Sequence, residues 1–497
     1  MVDDLGAECL NSYGGTSYET PFLNKMSEDG IQFENAHSMP ICTPSRVKLM
    51  TGKTNKKNHV EFAYLDPKEK TFSQVLQSAG YETLIAGKWQ LGQNKKLPKH
   101  FGFDEHILWQ LNTRGRDSTG LDKRYSNPRL VKNGITYEEN EGRFSTDMIV
   151  DYINDFIERK KNKSFLVYYP MILTHCPFVP TPHSKDWDAN DMGSKTYKGD
   201  AKYFGDMVSY MDFSVGRIID QVDKLELSEK TIIIFTADNG TDSPVVSMKN
   251  NISVPAGKGK TIDSGTHVPL LIKWDGVIEP GFLNESLIDF SDFFPTILDL
   301  AKIKINKKLD LDGVSFYPQL FGDFKSKREW IYTWYSRAGG SNLYDETHEW
   351  VRNETYKFYR GNRFYNVKND PYEKNMLSWN EMTKEERSLQ NDFVEVLKMY
   401  NHLRNKLGRE PYQNEIADEL GMSSEKYLEW SHAFEASVIK SLEDSYDDYS
   451  NWFVTSDLNP EEQINDIELR DNLKNALKKL EGKEALIIQL YFVEELN

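Results

Sequence analysis

Short apolar runs alternate with helical patterns over residues 1–305, and this alternation predicts an α/β domain built on a central, mostly parallel sheet with helices on both faces. The strongest strand signals are SFLVYYPM (164–171), TIIIFTADNG (231–240) and VPLLIKW (268–274), each rich in β-branched or aromatic residues. Between them, residues 203–225 keep Met207, Tyr210, Met211, Val215 and Ile218 at helical spacing, which predicts a crossover helix with those side chains in the core. Residues 306–400 form a second segment. Its EWIYTWY and YKFYRGNRFYNV runs, with Gly-Asn between aromatic residues, predict a hairpin and a small antiparallel subdomain. From 401 to 497 the texture is helical throughout: Leu403, Leu407, Ile416, Leu420, Tyr427 and Trp430 define short helices divided by GREP and GMSS. Residues 441–463 read as an acidic linker and 464–492 as another helix, so the third segment is an all-α tail.

Composition supports a large core: hydrophobic residues make up 38% of the 497 and aromatics 12%, which excludes wholesale disorder. No apolar run approaches the roughly 18 residues that a membrane-spanning helix needs. Charge is uneven. Residues 401–497 carry 10 Lys and Arg against 21 Asp and Glu, a net of −11 out of the chain's −16, a poor surface for nucleic acid by itself. Cys9, Cys42 and Cys176 are too few for a disulfide framework, and no apolar leader opens the chain, a pattern that by itself suggests a cytosolic protein. The opening MVDDLG, however, reads as the tail of a strand whose beginning lies upstream, leaving Asp3 and Asp4 on an unpaired end.

One short stretch carries candidate chemistry. In CTPSRVKLMTG (42–52), Pro44 suits the first turn of a helix and Gly52 suits its end, so Cys42 is expected at a helix N-terminus where free N–H groups favour an anion. Arg46 adds a permanent cation one turn on, and Val47, Leu49 and Met50 anchor the helix in the core.

This stretch resembles the signature of the sulfatase family, in which the cysteine of C-x-P-S-R is oxidised to formylglycine by a formylglycine-generating or sulfatase-maturing enzyme. The resemblance covers about residues 1–400 and implies an alkaline-phosphatase-like α/β sandwich that hydrolyses sulfate monoesters. In that family a hydroxyl of the hydrated aldehyde attacks sulfur, and the product can collapse back to aldehyde and expel sulfate, which a thiolate could not do. Asp3 and Asp4 in MVDDLG, and Asp238 and Asn239 in TADNG, are similar to the family's metal ligands. With the group formed at Cys42, they imply a site for Ca2+ or another divalent cation. Lys88 in GYETLIAGKWQLG and Lys258 in AGKGKTIDSGTHVP resemble the sulfate-holding lysines, and His175 in THCPFVPTP resembles the histidine that protonates the leaving alcohol. Arg46 would help activate and orient the nucleophile.

Two positions depart from the pattern. Gln90 stands where the family commonly has a histidine and cannot accept a proton, so either His175 or His37 serves instead or turnover is slow; His267 replaces a usual arginine and is expected to act on packing. Trp109, Arg114, Arg124 and Tyr125 could line a sugar pocket, with a sulfated carbohydrate as the implied substrate class. Phosphodiesterases and phosphonate hydrolases of the same superfamily remain the alternative. Relatives of this type are commonly periplasmic or secreted, which implies a signal peptide upstream. The tail resembles regions 3 and early 4 of a flagellar-type bacterial sigma factor, which would imply RNA polymerase and promoter DNA as partners, or a chimeric join near residue 401.

Overall fold

The computed structural model describes residues 1–111, 120–138, 140–322, 328–337 and 347–407. The sigma-like tail beyond Leu407 and the proposed pocket residue Arg114 lie outside these residues.

Fifteen strands are described: β1 (Ile31–His37), β2 (Glu82–Lys88), β3 (Glu105–Trp109), β4 (Leu130–Lys132), β5 (Ile135–Tyr137), β6 (Phe165–Tyr168), β7 (Ile233–Thr236), β8 (Val246–Lys249), β9 (Ile252–Pro255), β10 (Leu270–Lys273), β11 (Phe282–Asp289), β12 (Ile331–Tyr335), β13 (His348–Arg352), β14 (Tyr356–Tyr359) and β15 (Phe364–Asn366). One half of the central sheet has the order β5-β4-β3-β2-β6, and the other the order β11-β1-β10-β7. Strand β2 is parallel to β3 and β6, and β1 is parallel to β11; β4, β5 and β10 pair antiparallel with their neighbours. Strand β10 therefore interrupts an otherwise uniform direction on its side of the sheet, so the sheet is mixed.

Residues 1–4 join the two halves. Val2 bridges Ala237 in parallel, its N–H donating to the Thr236 carbonyl at 2.8 Å and its carbonyl accepting from Asp238 N–H at 2.9 Å. On the other side, Met171 N–H donates to the Met1 carbonyl at 2.8 Å and Asp3 N–H to the Leu173 carbonyl at 3.0 Å. The expectation of an unpaired end is thus corrected: Val2 is buried between β7 and the extension of β6, and its backbone groups are satisfied from both sides.

Helices cover both faces. Pro21–Glu28, Ser145–Lys160 and the expected crossover helix, here Phe204–Lys224, pack together on one side, while Cys42–Thr51, Phe72–Ser78 and Phe293–Leu300 pack together on the other. Met207, Tyr210 and Met211 are buried and Val215 and Ile218 half-buried, as their spacing requires.

Strands β12 to β15 form a separate antiparallel sheet in sequential order. Gly361 (φ 103°) and Asn362 (φ 67°) turn β14 into β15, because a tight hairpin needs left-handed residues that Gly and Asn tolerate. The helix Lys384–Leu407 covers this sheet, burying Phe393, Val394, Val396 and Leu397 with Trp330, Tyr332, Trp334, Phe358 and Phe364. It runs without a break through residue 401.

Candidate active site

Parallel strands deliver their carboxyl ends to one edge of a sheet. Residues 1–4, β1, β2, β6 and β7 share a direction, so Asp3, Asp4, the approach to Cys42, Lys88, His175 and Asp238 all arrive at that edge. Two glycines let the segments approach this closely. Gly87 sits at φ 115° directly before Lys88, and a Cβ there would lie 2.1 Å from the Pro170 carbonyl oxygen. A Cβ on Gly240 would lie 1.8 Å from the Ser264 carbonyl oxygen, so the Asp-Asn-Gly turn can touch the loop that carries Lys258.

Cys42 is the first residue of a ten-residue helix that is buried along its whole length. Ser45 Oγ accepts from Met39 N–H at 3.0 Å and donates to the Ile41 carbonyl at 3.1 Å, which fixes the chain entering the helix. Gly52 ends the helix in the left-handed conformation, its N–H on the Lys48 carbonyl at 2.9 Å. Met39, Ile41 and Cys42 pack against Tyr335, Trp350, Tyr359 and Tyr365, so the antiparallel sheet closes one side of the site. Tyr359 Oη also bonds Thr261 Oγ1 at 3.0 Å, next to the Lys258 loop.

Three buried carboxylates meet two buried cations, Arg46 and Lys88, and the half-buried Lys258. Arg46 donates to Asp238 Oδ2 from Nε at 3.1 Å and from Nη2 at 2.8 Å, and to the Lys88 carbonyl from Nη1 at 3.1 Å. Lys88 Nζ lies 2.5 Å from Asp3 Oδ2, and Lys258 Nζ donates to Asp4 Oδ2 at 2.6 Å. Asn239 Nδ2 donates to Asp4 Oδ1 at 2.7 Å, and His175 Nε2 sits 3.7 Å from Asp4 Oδ2. Burial pushes the Asp4 carboxyl up to about 7, with Lys258 opposing and Asp3, Asp242 and Asp238 adding. Burial also raises the Cys42 thiol, with Lys88 opposing, so the unmodified thiol is neutral and a weak nucleophile. His175 is held well below its ordinary value by burial and by Lys258, Lys88 and Arg124.

The donor set suits a hard cation. Asp3 Oδ1 and the amide oxygen of Asn239 are buried without a hydrogen-bond partner, while Asp3 Oδ2 faces Lys88 and Arg46, an arrangement that is costly unless another ligand uses the two open oxygens. Ligand atoms of Asp3, Cys42 and Asp238 lie within 4.8 Å of one another, as do those of Asp3, Asp4 and His175. Three carboxylates and an amide oxygen match the all-oxygen preference of Ca2+ or Mg2+.

All nine residues singled out in the sequence therefore sit at one place. Other expectations are corrected. His37 lies against His267, ring centroids 5.4 Å apart, with Arg352 Nη1 donating to its Nδ1 at 3.3 Å, and so belongs to the junction with the antiparallel sheet. Trp109, Arg124 and Tyr125 are buried at 2–3% exposure, so they pack beneath the site instead of presenting a sugar-facing surface. Gln90 is nearly buried at φ 52°, and its Oε1 has no hydrogen-bond partner. Cys176 is buried, its thiol pushed up to about 12. The sequence reading missed Asp242, 3.9 Å from Lys258 and bonded to Lys198 at 2.8 Å, although it stands only three residues beyond Asn239. It also missed Asp122, for which no local signal existed.

Comparison with known proteins agrees with this geometry. The profile for sulfatases matches residues 1–303, that for the C-terminal part of N-sulphoglucosamine sulphohydrolase matches 258–400, and that for sigma-70 region 3 matches 393–451. Among curated proteins, canine N-acetylgalactosamine-6-sulfatase is 29% identical over 369 residues, covering 67% of each chain. Human arylsulfatase A is 29% identical over 368 residues, covering 67% of this chain and 69% of its own. The matched region spans 60–69% of the length of the curated relatives reported first. Among solved structures, Ps i-CgsB in complex with k-i-k-neocarrahexaose has a TM-score of 0.65 at 24% identity, covering 81% of this chain and 91% of its own. A protein in complex with its substrate D-glucosamine-2-N,6-O-disulfate has a TM-score of 0.64 at 20% identity, covering 82% and 96%. The phosphonate monoester hydrolase from Silicibacter pomeroyi has a TM-score of 0.55 at 16% identity, covering 76% and 89%, which places the alkaline-phosphatase-like sandwich beyond one chemistry. With a sulfatase profile spanning more than half its length, the chain belongs to the sulfatase family.

Proposed function

We propose that this protein hydrolyses sulfate monoesters of a sulfated carbohydrate, using a nucleophile made from Cys42. The observation that carries this reading is the convergence of Cys42, at a helix N-terminus, with the ligand atoms of Asp3 and Asp238 within 4.8 Å. Formylglycine at position 42, installed by a maturation enzyme, would supply as its hydrate the hydroxyl that attacks sulfur. A divalent cation held by Asp3, Asp4, Asp238, Asn239 and the group at position 42 would supply Lewis-acid stabilisation of the sulfate oxygens.

The chain's own residues do the remaining work. Arg46 orients Asp238 through two hydrogen bonds and keeps a positive charge beside the nucleophile. Lys88 and Lys258 flank the carboxylates from opposite segments and would neutralise the charge that builds on the sulfate. His175 would give a proton to the departing alcohol from Nε2. Gln90 can donate a hydrogen bond but cannot accept a proton, so this site lacks the base that the usual histidine would offer there. The carbohydrate class is supported by relatives named for N-acetylgalactosamine and by structural neighbours in complex with k-i-k-neocarrahexaose and with D-glucosamine-2-N,6-O-disulfate.

The test is peptide mass spectrometry across Cys42 after co-expression with a formylglycine-generating enzyme, followed by assays on sulfated sugars. A loss of about 18 Da at Cys42 and turnover that Cys42→Ala abolishes are expected. An unmodified cysteine, or turnover retained in Cys42→Ala, overturns the mechanism. The likeness to a phosphonate monoester hydrolase makes phosphate and phosphonate esters the comparison substrates. The sigma-70 region 3 match leaves a second role for the tail, tested by whether the whole chain binds core RNA polymerase and promoter DNA. Its first residues, Phe393 to Leu397, are already committed to the core of the antiparallel sheet. Among the described residues, no helix is long and apolar enough to cross a membrane.

A further inference from the structure

An apolar slot lies in the middle of the central sheet, away from the candidate active site. Strand β6 pairs with β2 and β7 with β10, and among the described residues no strand pairs with the edges that β6 and β7 turn toward each other. Residues 1–4 occupy the same strand position just beyond these two strands, bonded on both sides, so the gap is one strand wide. It opens into a cavity of about 800 Å³. Ile157 and Ile219 wall the cavity on one face of the sheet, and Leu76 and Ile297 on the other. Its edges are Phe165, Leu166 and Val167 of β6 and Ile233 and Ile234 of β7, all only half-buried, although strands at the centre of such a sheet are ordinarily buried throughout, as β10 is.

Backbone chemistry decides what fits there. The Tyr169 carbonyl accepts from the Met1 nitrogen at 3.0 Å, and the Thr236 carbonyl from Val2 N–H at 2.8 Å. Peptide groups alternate in direction along a strand, so those of Val167 and Ile234, two residues earlier on each side, face the slot as well. Two facing rows of donors and acceptors, walled by aliphatic side chains, suit an extended peptide; a lipid or other apolar small molecule would leave the rows unsatisfied. Lys161 and Lys230, exposed just before β6 and β7, line the mouth. We infer that this slot is a strand-acceptor site: it takes an extended apolar peptide from a partner, acidic at its N-terminal end, which completes the central sheet along β6 and β7, four residues each. The peptide's direction is that of residues 1–4, which run parallel to β7, and this direction puts its N-terminal end at the two lysines. The inference is independent of the sulfate-ester reading.

The probe is the synthetic peptide acetyl-Glu-Glu-Val-Ile-Val-Ile-amide, added to the whole chain with Cys42 unmodified and without metal. Calorimetry should show saturable binding of one peptide per chain, and hydrogen exchange at the Val167 and Ile234 amides should slow by about tenfold or more. Methylating alternate peptide nitrogens removes donors but keeps the apolar surface, and should weaken binding by about tenfold or more. Exchanging both Glu residues for Lys should weaken it by about threefold at low salt. No binding up to about 1 mM overturns the inference. So does equal affinity for the N-methylated peptide, which would mark a cavity for apolar matter of any shape, and so do unchanged exchange rates at the two amides when peptide is bound. Val167 and Ile234 amides that exchange as slowly without peptide as those of β10 would show that the chain fills the slot itself, which also overturns it. Equal affinity for the Lys form would overturn the acidic end.

Discussion

Replacing Arg46 with methionine removes a cation from the centre of the site while keeping most of the side-chain volume. Asp238 would lose both of its bonds to Arg46, at 3.1 and 2.8 Å, whereas Asp3 would keep Lys88 at 2.5 Å. The main consequence is therefore one buried carboxylate without its cation, left with the Asp4 N–H on Oδ1 at 3.2 Å. Burial and the neighbouring Asp3 already push the Asp238 carboxyl up, and Arg46 is the first opposing influence, so in the variant Asp238 should take up a proton. Protonating a carboxyl of ordinary pKa costs about 4 kcal/mol at pH 7 and about 1.5 kcal/mol at pH 5, which bounds the penalty. The sign follows from linkage: with its folded pKa above the unfolded one, Asp238 is fully accommodated at low pH and its contribution is lost as pH rises. Urea midpoints of wild type and Arg46→Met, measured in EDTA at pH 5, 6 and 7, should diverge toward pH 7, reaching up to about 4 kcal/mol. Adding Asp238→Asn to Arg46→Met should recover part of the loss, because no charge is then stranded. A gap below about 1 kcal/mol at pH 7, a gap independent of pH, or simple additivity of the two substitutions would refute the reasoning.

Three further outcomes are expected. Because Asp4 is raised to about 7 by burial, the metal-free protein should lose up to about 4 kcal/mol of stability between pH 4 and 8; Asp4→Asn should flatten this slope in urea titrations, and an unchanged slope would count against it. Calcium at a hundredfold its dissociation constant should stabilise the wild type by about 2.7 kcal/mol, and Asn239→Leu, which removes an unpartnered oxygen, should sharply reduce the shift seen by calorimetry; equal shifts in both would remove Asn239 from the site. Phe393→Ala should cost about 3–5 kcal/mol, because its ring is fully buried 6.3 Å from that of Phe364; a loss below about 1 kcal/mol would show that the helix Lys384–Leu407 does not belong to this core.

Much of the site was legible because its signals are local. The helix at Cys42 follows from Pro44 in its first turn and Gly52 at its end, and the hairpin from Gly361 and Asn362, all within a few residues of the feature they create. The motifs also placed Lys88, His175, Lys258, Asp238 and Asn239 after strands or in glycine-rich loops, where backbone can approach backbone. His37 and Arg124 were misread for the converse reason. A histidine near the motif and an arginine beside aromatic residues are ambiguous until their partners, Arg352 and Asp122, are known.

The sequence by itself thus determined which candidate residues meet at the site and the elements that begin or end beside them, since helix starts, turns and apolar periods are written in neighbouring positions. Tertiary structure alone decided how the charges pair: Asp4 with Lys258 across 254 positions, Asp238 with Arg46 across 192, and the ring of His175 with Arg124 across 51. It also decided that aromatic residues of the antiparallel sheet close over Cys42. A buried charge must find its counterpart wherever the fold brings one within reach, and that distance is set by the packing of strands and helices, which no local stretch of sequence encodes.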